Sequence, residues 1–262
     1  MQTGSVRTPA GAMVDGRVED PTAVGLALKQ LVARSEIAGT TSFVAVSDAL
    51  ANFRVLKVAP TSTDSEIDSV VAQALSLDPN RMATQWTEIR RTPEVLEVYA
   101  VAWDRALVKK SAEAVRLAGL DPVVVELKSA CVARVAPEPS CIVLETSTDP
   151  MEIFLIAGGV PQVWYGFHAK TNGAVAEDLA RTLAGPLSSV LKFYRRRRDN
   201  EFTSASPILI AGEQMLPAQV VARLSEAIEQ PVLELPAPPR VPPGLRYTAY
   251  MTCLGLIMRR RR

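Results

Sequence analysis

The order of strand and helix patterns after residue 140 constrains the fold of this chain more than any other feature. Three strand patterns of apolar and β-branched residues come first, at 141–146, 152–157 and 160–167. Helical and strand patterns then alternate: helices over 174–198, 216–228 and 246–258, and strands over 206–211 and 232–235. This order predicts three antiparallel strands followed by parallel strands that crossover helices connect. We also predict that Gly185-Pro186 interrupts the helix over 174–198.

The first half of the chain repeats part of this order. A helix over 20–35 is predicted from Asp20-Pro21, because Asp is a favoured N-cap and Pro is favoured at the first helical position. The other predicted elements of this half are a strand over 41–47, a helix over 104–118, a strand over 122–127 and a helix over 128–135. Residues 1–19 contain no strand pattern that matches the three strands of the second half.

A small α/β segment, about 52–103, interrupts the first half. Its predicted strands are 53–58, 84–91 and 95–102, and Thr63 with Glu66 forms a capping box that begins its helix. The chain is therefore predicted to be an α/β protein with two actin-like, ribonuclease-H-like lobes. The first lobe is residues 1–136, which includes the inserted subdomain and lacks some strands, and the second lobe is residues 137–262.

Composition removes several classes of function. The net charge of +1 gives no general attraction to polyanions. The single His168 and the widely spaced Cys131, Cys141 and Cys253 match no metal or redox spacing, and we predict that the three cysteines are core residues in a reducing compartment. The apolar stretch 153–169 is broken by a turn and cannot span a membrane, and residues 1–5 do not resemble a signal peptide. We therefore expect a cytoplasmic protein.

Four stretches carry a resemblance to a known family: 11–34, 53–75, 111–136 and 246–259. The most specific pieces are Ala118-Gly119-Leu120 before a valine-rich strand and Gly255-Leu256 in the last helix. In order and spacing, these stretches resemble the type IV pilus assembly protein PilM, an actin-like relative of FtsA. The resemblance implies two lobes around a nucleotide cleft at the cytoplasmic face of the inner membrane. It also implies binding of the N-terminal peptide of a PilN-like bitopic membrane protein.

The resemblance also implies a nucleotide site, and the residues at its positions are unfavourable. An actin-like site needs two loops with an acid, glycine and Ser or Thr, and residues 1–35 contain no such loop. The second loop falls at Glu145, Thr146, Ser147 and Thr148, which supply an acid and hydroxyls without glycine. The Gly-Gly pair on the adenosine side is replaced by Gly212-Glu213.

We therefore expect a degenerate nucleotide site with no cofactor, no metal and no catalytic residue. ATP with Mg²⁺ is the disfavoured alternative. Another alternative is that residues upstream of Met1 carry the first loop.

Two surface features suggest partners. The resemblance implies that the partner peptide lies where the inserted subdomain joins the first lobe. Leu50 and Phe53 are the apolar residues nearest this point, so we predict that they bind the peptide; the alternative is that they only pack the subdomain onto the lobe. The run Arg195, Arg196, Arg197 and Arg198 is predicted to face anionic lipid, although a solvated helix end would also favour cations. Few aromatic residues accompany the run, so nucleic acid is not an expected partner. Self-association is possible, because a sheet edge left open can pair with another chain.

Two functions from different classes follow. The favoured one is a scaffold without enzyme activity in a type IV pilus or a related secretion or competence machine, held at the inner membrane through its partner. The alternative is an actin-class ATP-binding protein or phosphotransfer enzyme with an atypical site.

Overall fold

A computed structural model describes residues 2–75, 78–146, 150–169, 175–196, 202–213, 215–239 and 241–259. The chain forms two compact units, residues 1–128 and 129–262. The lobe boundary predicted after residue 136 lies on the far side of a helix, Lys128–Val135, whose residues from Ser129 onward belong to the second unit.

The first unit contains three small sheets and three helices among its described residues. In chain order its elements are β1 (Met13–Val14), β2 (Arg17–Val18), α1 (Pro21–Arg34), β3 (Thr41–Val46), a 3-10 turn (Asp48–Leu50), β4 (Ala51–Val58), α2 (Asp64–Ala74), β5 (Met82–Arg91), β6 (Leu96–Asp104), α3 (Arg105–Leu117) and β7 (Asp121–Leu127). Strands β3 and β7 pair in parallel, and β1 and β2 form a separate hairpin. As predicted, Asp20 is the N-cap of α1, and its carboxylate accepts hydrogen bonds of 3.0 Å from the amides of Thr22 and Ala23.

Helices α1 and α3 pack together closely at a glycine. A Cβ atom on Gly25 would lie 2.7 Å from Cβ of Leu117 and 2.8 Å from the carbonyl oxygen of Ala114. Only glycine allows the two helices to approach to this distance. On one face of the β3–β7 sheet, Val46 and Leu127 form a small core with Leu50.

The inserted subdomain is a three-stranded antiparallel sheet covered on one face by α2. Its strand order is β4-β6-β5, and Ile67 and Val71 of α2 pack on the apolar residues of β6 that face them. The predicted capping box is present, because Thr63 accepts from the amide of Glu66 and Glu66 accepts from the amide of Thr63. At the other end, Asp104 caps α3 and forms an ion pair with Arg81.

The second unit has one wide sheet. Its elements are α4 (Lys128–Val135), β8 (Cys141–Glu145), β9 (Met151–Ala157), β10 (Val160–Phe167), α5 (Ala176–Arg195), β11 (Ile208–Ala211), α6 (Ala218–Ile228), β12 (Val232–Glu234) and α7 (Met251–Ile257). The strand order is β10-β9-β8-β11-β12, antiparallel from β10 to β8 and parallel from β8 to β12, as predicted. Helices α5 and α6 cover one face of the sheet, while α4 and α7 cover the other.

The prediction that Gly185-Pro186 interrupts the long helix is wrong, because α5 is continuous from Ala176 to Arg195. A proline inside a helix removes one backbone hydrogen bond, and its ring also collides with the Cβ of the residue before it. That residue here is Gly185, which has no Cβ. Leu183 and Leu187, on either side, are fully buried in the core and hold the helix against the sheet.

The cysteine prediction is wrong for one of the three residues. Cys131 and Cys141 are buried, whereas Cys253 on α7 is exposed. Helix α7 packs against α4 through the opposite side of its surface, where a Cβ on Gly255 would lie 2.0 Å from the carbonyl oxygen of Cys131. Arg134 of α4 also donates to the carbonyl oxygen of Gly255 at 2.9 Å.

Among the helices of the described residues, we find none that is both long enough and apolar enough to cross a bilayer.

Candidate functional site

The predicted nucleotide site lies where β8 and β11 end. These strands are parallel and adjacent, with Ala211 paired to Glu145, so the residues that follow them meet at one edge of the sheet. The amide of Thr146 donates to the carbonyl oxygen of Ala211 at 3.0 Å, and the Thr146 hydroxyl donates to the same oxygen at 3.1 Å. The structure therefore brings Glu145 and Thr146 next to Gly212 and Glu213. Ser147 and Thr148 lie outside the described residues.

The hydrogen-bond donors of Thr146 and Gly212 at this edge are engaged within the protein. A phosphate-binding loop needs amide and hydroxyl donors that point at the ligand. Thr146 is buried, and both of its donors are used by Ala211. Gly212 has a φ of +119°, a conformation that favours glycine, and its amide donates to the carbonyl oxygen of Thr248 at 3.2 Å. These donors therefore bond to backbone carbonyl oxygens of the protein itself.

Glu145, the predicted acid of the site, has a second carboxylate directly opposite. Glu145 pairs with Glu152 across β8 and β9, and each is only 6% exposed. Nε1 of Trp164 donates to Oε1 of Glu152 at 2.8 Å. This pair of side chains lies on a face of the sheet that is otherwise apolar. No group of three or more acidic, Cys or His side chains suited to a metal ion occurs in the described part of the chain.

Sequence reasoning missed Glu152 and Trp164. The sequence contains a signal for Glu152, because few residues separate β8 from β9 along the chain. A short connection places the end of one antiparallel strand opposite the start of the next, and therefore Glu145 near Glu152. The negative residue Glu213, by contrast, is exposed at the end of the β11 edge.

The two predicted peptide-binding residues have different environments. Leu50 is 3% exposed and belongs to the core between β3, β7 and the inserted subdomain. Phe53 also packs against this core, as the packing alternative expects, but it is only partly buried, and its ring centroid lies 5.9 Å from that of Tyr99 on the neighbouring strand β6. Val55 pairs with Tyr99 and is also partly exposed. The accessible apolar surface in this region is thus on β4, at Phe53 and Val55, rather than at Leu50.

The predicted basic patch is described only in part. Arg195, the last residue of α5, and Arg196, its C-cap, are exposed. Arg197 and Arg198 lie outside the described residues.

Comparison with models of protein families finds no match. Comparison with curated protein sequences also finds none. Solved structures do match. A PilM-PilN type IV pilus biogenesis complex has a TM-score of 0.73 and 18% identity over 97% of this chain and 90% of that chain.

Two further structures have lower similarity. The cytoplasmic domain of EpsL, an inner membrane component of the type II secretion system of Vibrio cholerae, has a TM-score of 0.51 and 11% identity over 90% of this chain and 82% of that chain. The ethanolamine utilization protein EutJ from Carboxydothermus hydrogenoformans has a TM-score of 0.52 and 12% identity, over 95% of this chain and 78% of that chain. Identities this low establish the fold alone. The predicted fold class is confirmed: this chain has the actin-like fold that these structures share.

Proposed function

We propose that this chain is a scaffold of a type IV pilus or a related secretion or competence machine, without enzyme activity of its own. In this role it is cytoplasmic and is held at the inner membrane by the cytoplasmic peptide of a PilN-like bitopic protein. The observation that supports this proposal most strongly is the likeness to the PilM-PilN complex over nearly the whole length of both chains. The likeness to the cytoplasmic domain of EpsL supports the same class of machine.

The absence of catalysis is part of the proposal. The support is the use of the Thr146 hydroxyl and of the Thr146 and Gly212 amides in bonds to Ala211 and Thr248. A nucleotide would have to displace these bonds, and the loop after β8 has no glycine to let its backbone approach a phosphate.

We place the peptide on strand β4. In the described residues β4 pairs only with β6 and forms one border of its three-stranded sheet, so its outer edge carries backbone donors and acceptors. A peptide that adds to such an edge gains main-chain hydrogen bonds, and side-chain pockets supply the specificity. Phe53 and Val55 lie on one face of β4 and give an apolar surface for alternate side chains of the peptide.

Leu50 then has a structural part in the site. It fills the core beneath the start of β4, together with Val46 and Leu127. A substitution at Leu50 would disturb the fold before it tested binding, so Phe53 is the residue to change.

The test is a fluorescence titration of the full chain with a synthetic peptide of the N-terminal cytoplasmic segment of a PilN-like protein. We expect wild type to bind and Phe53→Ala to bind about tenfold more weakly, since an aromatic anchor of an interface contributes more than about 1 kcal/mol. Val70→Ala is the matched control, because Val70 is an exposed apolar residue on α2, which covers the other face of the same sheet.

Circular dichroism would establish that both variants are folded. No binding by wild type would contradict the scaffold proposal itself. Equal loss in Phe53→Ala and Val70→Ala, or no loss in either, would remove β4 as the docking strand.

A further inference from the structure

The C-terminal end of α5 exposes an aromatic side chain among cations. Lys192, Phe193, Arg195 and Arg196, here called the α5-end cluster, are all exposed, and Phe193 is 62% exposed. Tyr194, between them, is buried and packs edge-on against Phe202, with ring centroids 6.5 Å apart. This anchor fixes the last turn of the helix, so the cluster is held outward on a rigid element.

The cluster is remote from the candidate nucleotide site. Helix α5 follows β10, which is parallel to β8, and therefore begins at the sheet edge where β8 ends. The chain then runs from α5 to the start of β11, so the last turn of α5 lies at the opposite end of the strands. A ligand of the α5-end cluster is consequently independent of the residues around Glu145.

Helix capping explains only part of the cluster. Cations near a helix C-terminus are favoured by about 0.3–1 kcal/mol, which accounts for Lys192, Arg195 and Arg196. It does not account for Phe193, because the other large apolar residues in this half of α5, Leu187, Val190 and Leu191, are all buried. In sequence, Lys192 and the run Arg195–Arg198 outnumber the nearby Asp199 and Glu201.

We infer that the α5-end cluster binds the surface of an anionic lipid bilayer. Phe193 enters the boundary between headgroups and acyl chains, and the cations contact the headgroup phosphates. An aromatic residue flanked by cations fits this interface, where one side of the contact is apolar and the other is charged. Single-stranded nucleic acid fits less well, because it needs several stacking aromatics and the neighbouring Tyr194 is buried.

The test is sedimentation of the full chain with vesicles of phosphatidylcholine alone or of phosphatidylcholine mixed with phosphatidylglycerol. We expect binding to the mixed vesicles, weakening steeply as salt is raised, because screening acts on exposed charges. We expect no binding to phosphatidylcholine alone.

Two variants separate the contributions of charge and aromatic insertion. Arg195→Gln/Arg196→Gln is expected to weaken binding about thirtyfold, from about 1 kcal/mol for each cation near the surface. Phe193→Ser is expected to weaken it about tenfold, from the lost apolar insertion. Arg116→Gln is the matched control, because Arg116 is an exposed arginine in the last turn of α3, and it should bind as wild type does.

Thermal unfolding of each variant would establish that it is folded. Equal binding to both kinds of vesicle, or full binding by the double arginine variant, would overturn the inference. A single-stranded oligonucleotide that binds more tightly than the mixed vesicles at the same salt, and is lost in the same variants, would overturn it in favour of nucleic acid.

Discussion

The two units share one succession of elements but build it on sheets of different width. Helix, strand, helix, strand is the order of α5, β11, α6 and β12, and also of α1, β3, α3 and β7 with the inserted subdomain after β3. The second unit precedes this order with β8, β9 and β10, whereas the described residues of the first unit precede it with the short β1–β2 hairpin. In the second unit, the strands of this order belong to a five-stranded sheet, whereas in the first unit β3 and β7 form a sheet of only two strands.

The difference appears directly in burial. Every residue of β8 and β9 is buried, since strands of the wide sheet lie between helices on both faces. In the narrow sheet, Phe43 of β3 is 38% exposed and Val123 of β7 is 51% exposed. Buried apolar area contributes about 25 cal/mol per Å² to the free energy of unfolding. Because the strands of the two sheets are buried to different extents, two units with the same order of elements are not expected to be equally stable.

The largest effect is expected where each unit packs two helices at a glycine. Gly255→Ala places a Cβ against backbone atoms of Cys131, so we expect the second unit to lose about 3 kcal/mol of unfolding free energy. Gly25→Ala meets Leu117 and Ala114 at longer distances, so its cost should be smaller; the higher helix propensity of Ala offsets about 1 kcal/mol at both positions. Urea unfolding followed by Trp164 for the second unit and by Trp103 for the first, in single-tryptophan backgrounds, would measure both. A larger loss for Gly25→Ala would reverse this ranking.

The next effect concerns Asp104, a buried carboxyl group of the first unit. Burial raises the pKa of Asp104, but hydrogen bonds from Arg81 and from the amides of Leu107 and Ala106, with the charge of Arg81, hold that pKa below its usual value. A carboxyl with a lowered pKa in the folded state contributes stability above its unfolded pKa, and this contribution is lost as pH falls through the folded value.

We therefore expect Asp104→Asn to destabilise the first unit by about 1–3 kcal/mol at pH 7, the range for hydrogen bonds to charged groups. The difference from wild type should shrink as pH falls below about 4. Urea midpoints between pH 7 and pH 3, followed by Trp103, would measure it. A difference that stays constant with pH would show that the charge is unimportant.

A smaller effect is expected from the borders of the two sheets. Strand β3 is six residues long without a charged residue. Of the two borders of the wide sheet, β12 is three residues long and includes Glu234, and β10 is uncharged but contains Pro161 and a register shift, which also hinder pairing. Short, charged edges resist pairing with another chain, and long uncharged edges promote it. We expect wild type to associate weakly as its concentration rises and Phe43→Lys to remain monomeric. Leu233→Lys, an exposed apolar position on β12, should behave as wild type in sedimentation velocity. Equal behaviour of the two variants would remove β3 as the contact.

The smallest expected effect is that of Mg-ATP. Because the donors of Thr146 and Gly212 are used within the second unit, we expect no useful affinity in titration calorimetry. A dissociation constant at or below micromolar, about −8 kcal/mol, would require an intact phosphate site and would favour the ATP-binding alternative.

Much of the fold could be predicted because its signals are local. Asp20-Pro21 and the Thr63–Glu66 capping box each satisfy backbone donors within one turn, and the structure contains both. The β1–β2 hairpin was also locally signalled by Asp15-Gly16, whose φ values are +47° and +74°, but its strands are too short to have a visible period. The continuity of α5 at Pro186 was not predictable in this way, because it depends on the burial of Leu183 and Leu187.

The candidate site shows the same limit. Parallel strands bring their carboxyl ends together, so the meeting of Glu145 with Gly212 could be predicted from the order of elements. Which donors remain for a ligand could not, because the bonds of Thr146 to Ala211 join residues far apart in the chain. The burial of Leu50 depends likewise on Val46 and Leu127, which reach it only in the folded unit.

The distribution of cysteines allows thiol modification to follow the opening of the second unit alone. All three cysteines belong to it, and Cys253 is exposed while Cys131 and Cys141 are buried. Burial, with a smaller contribution from Glu138, raises the pKa of the Cys141 thiol to about 12. Burial also raises the pKa of the Cys253 thiol, so the order of modification rests on access: an alkylating reagent should modify the exposed Cys253 first and reach the buried Cys141 only when the sheet opens. The rate of that slow modification would report the opening of this unit without any engineered label, whatever state the cysteine-free first unit is in.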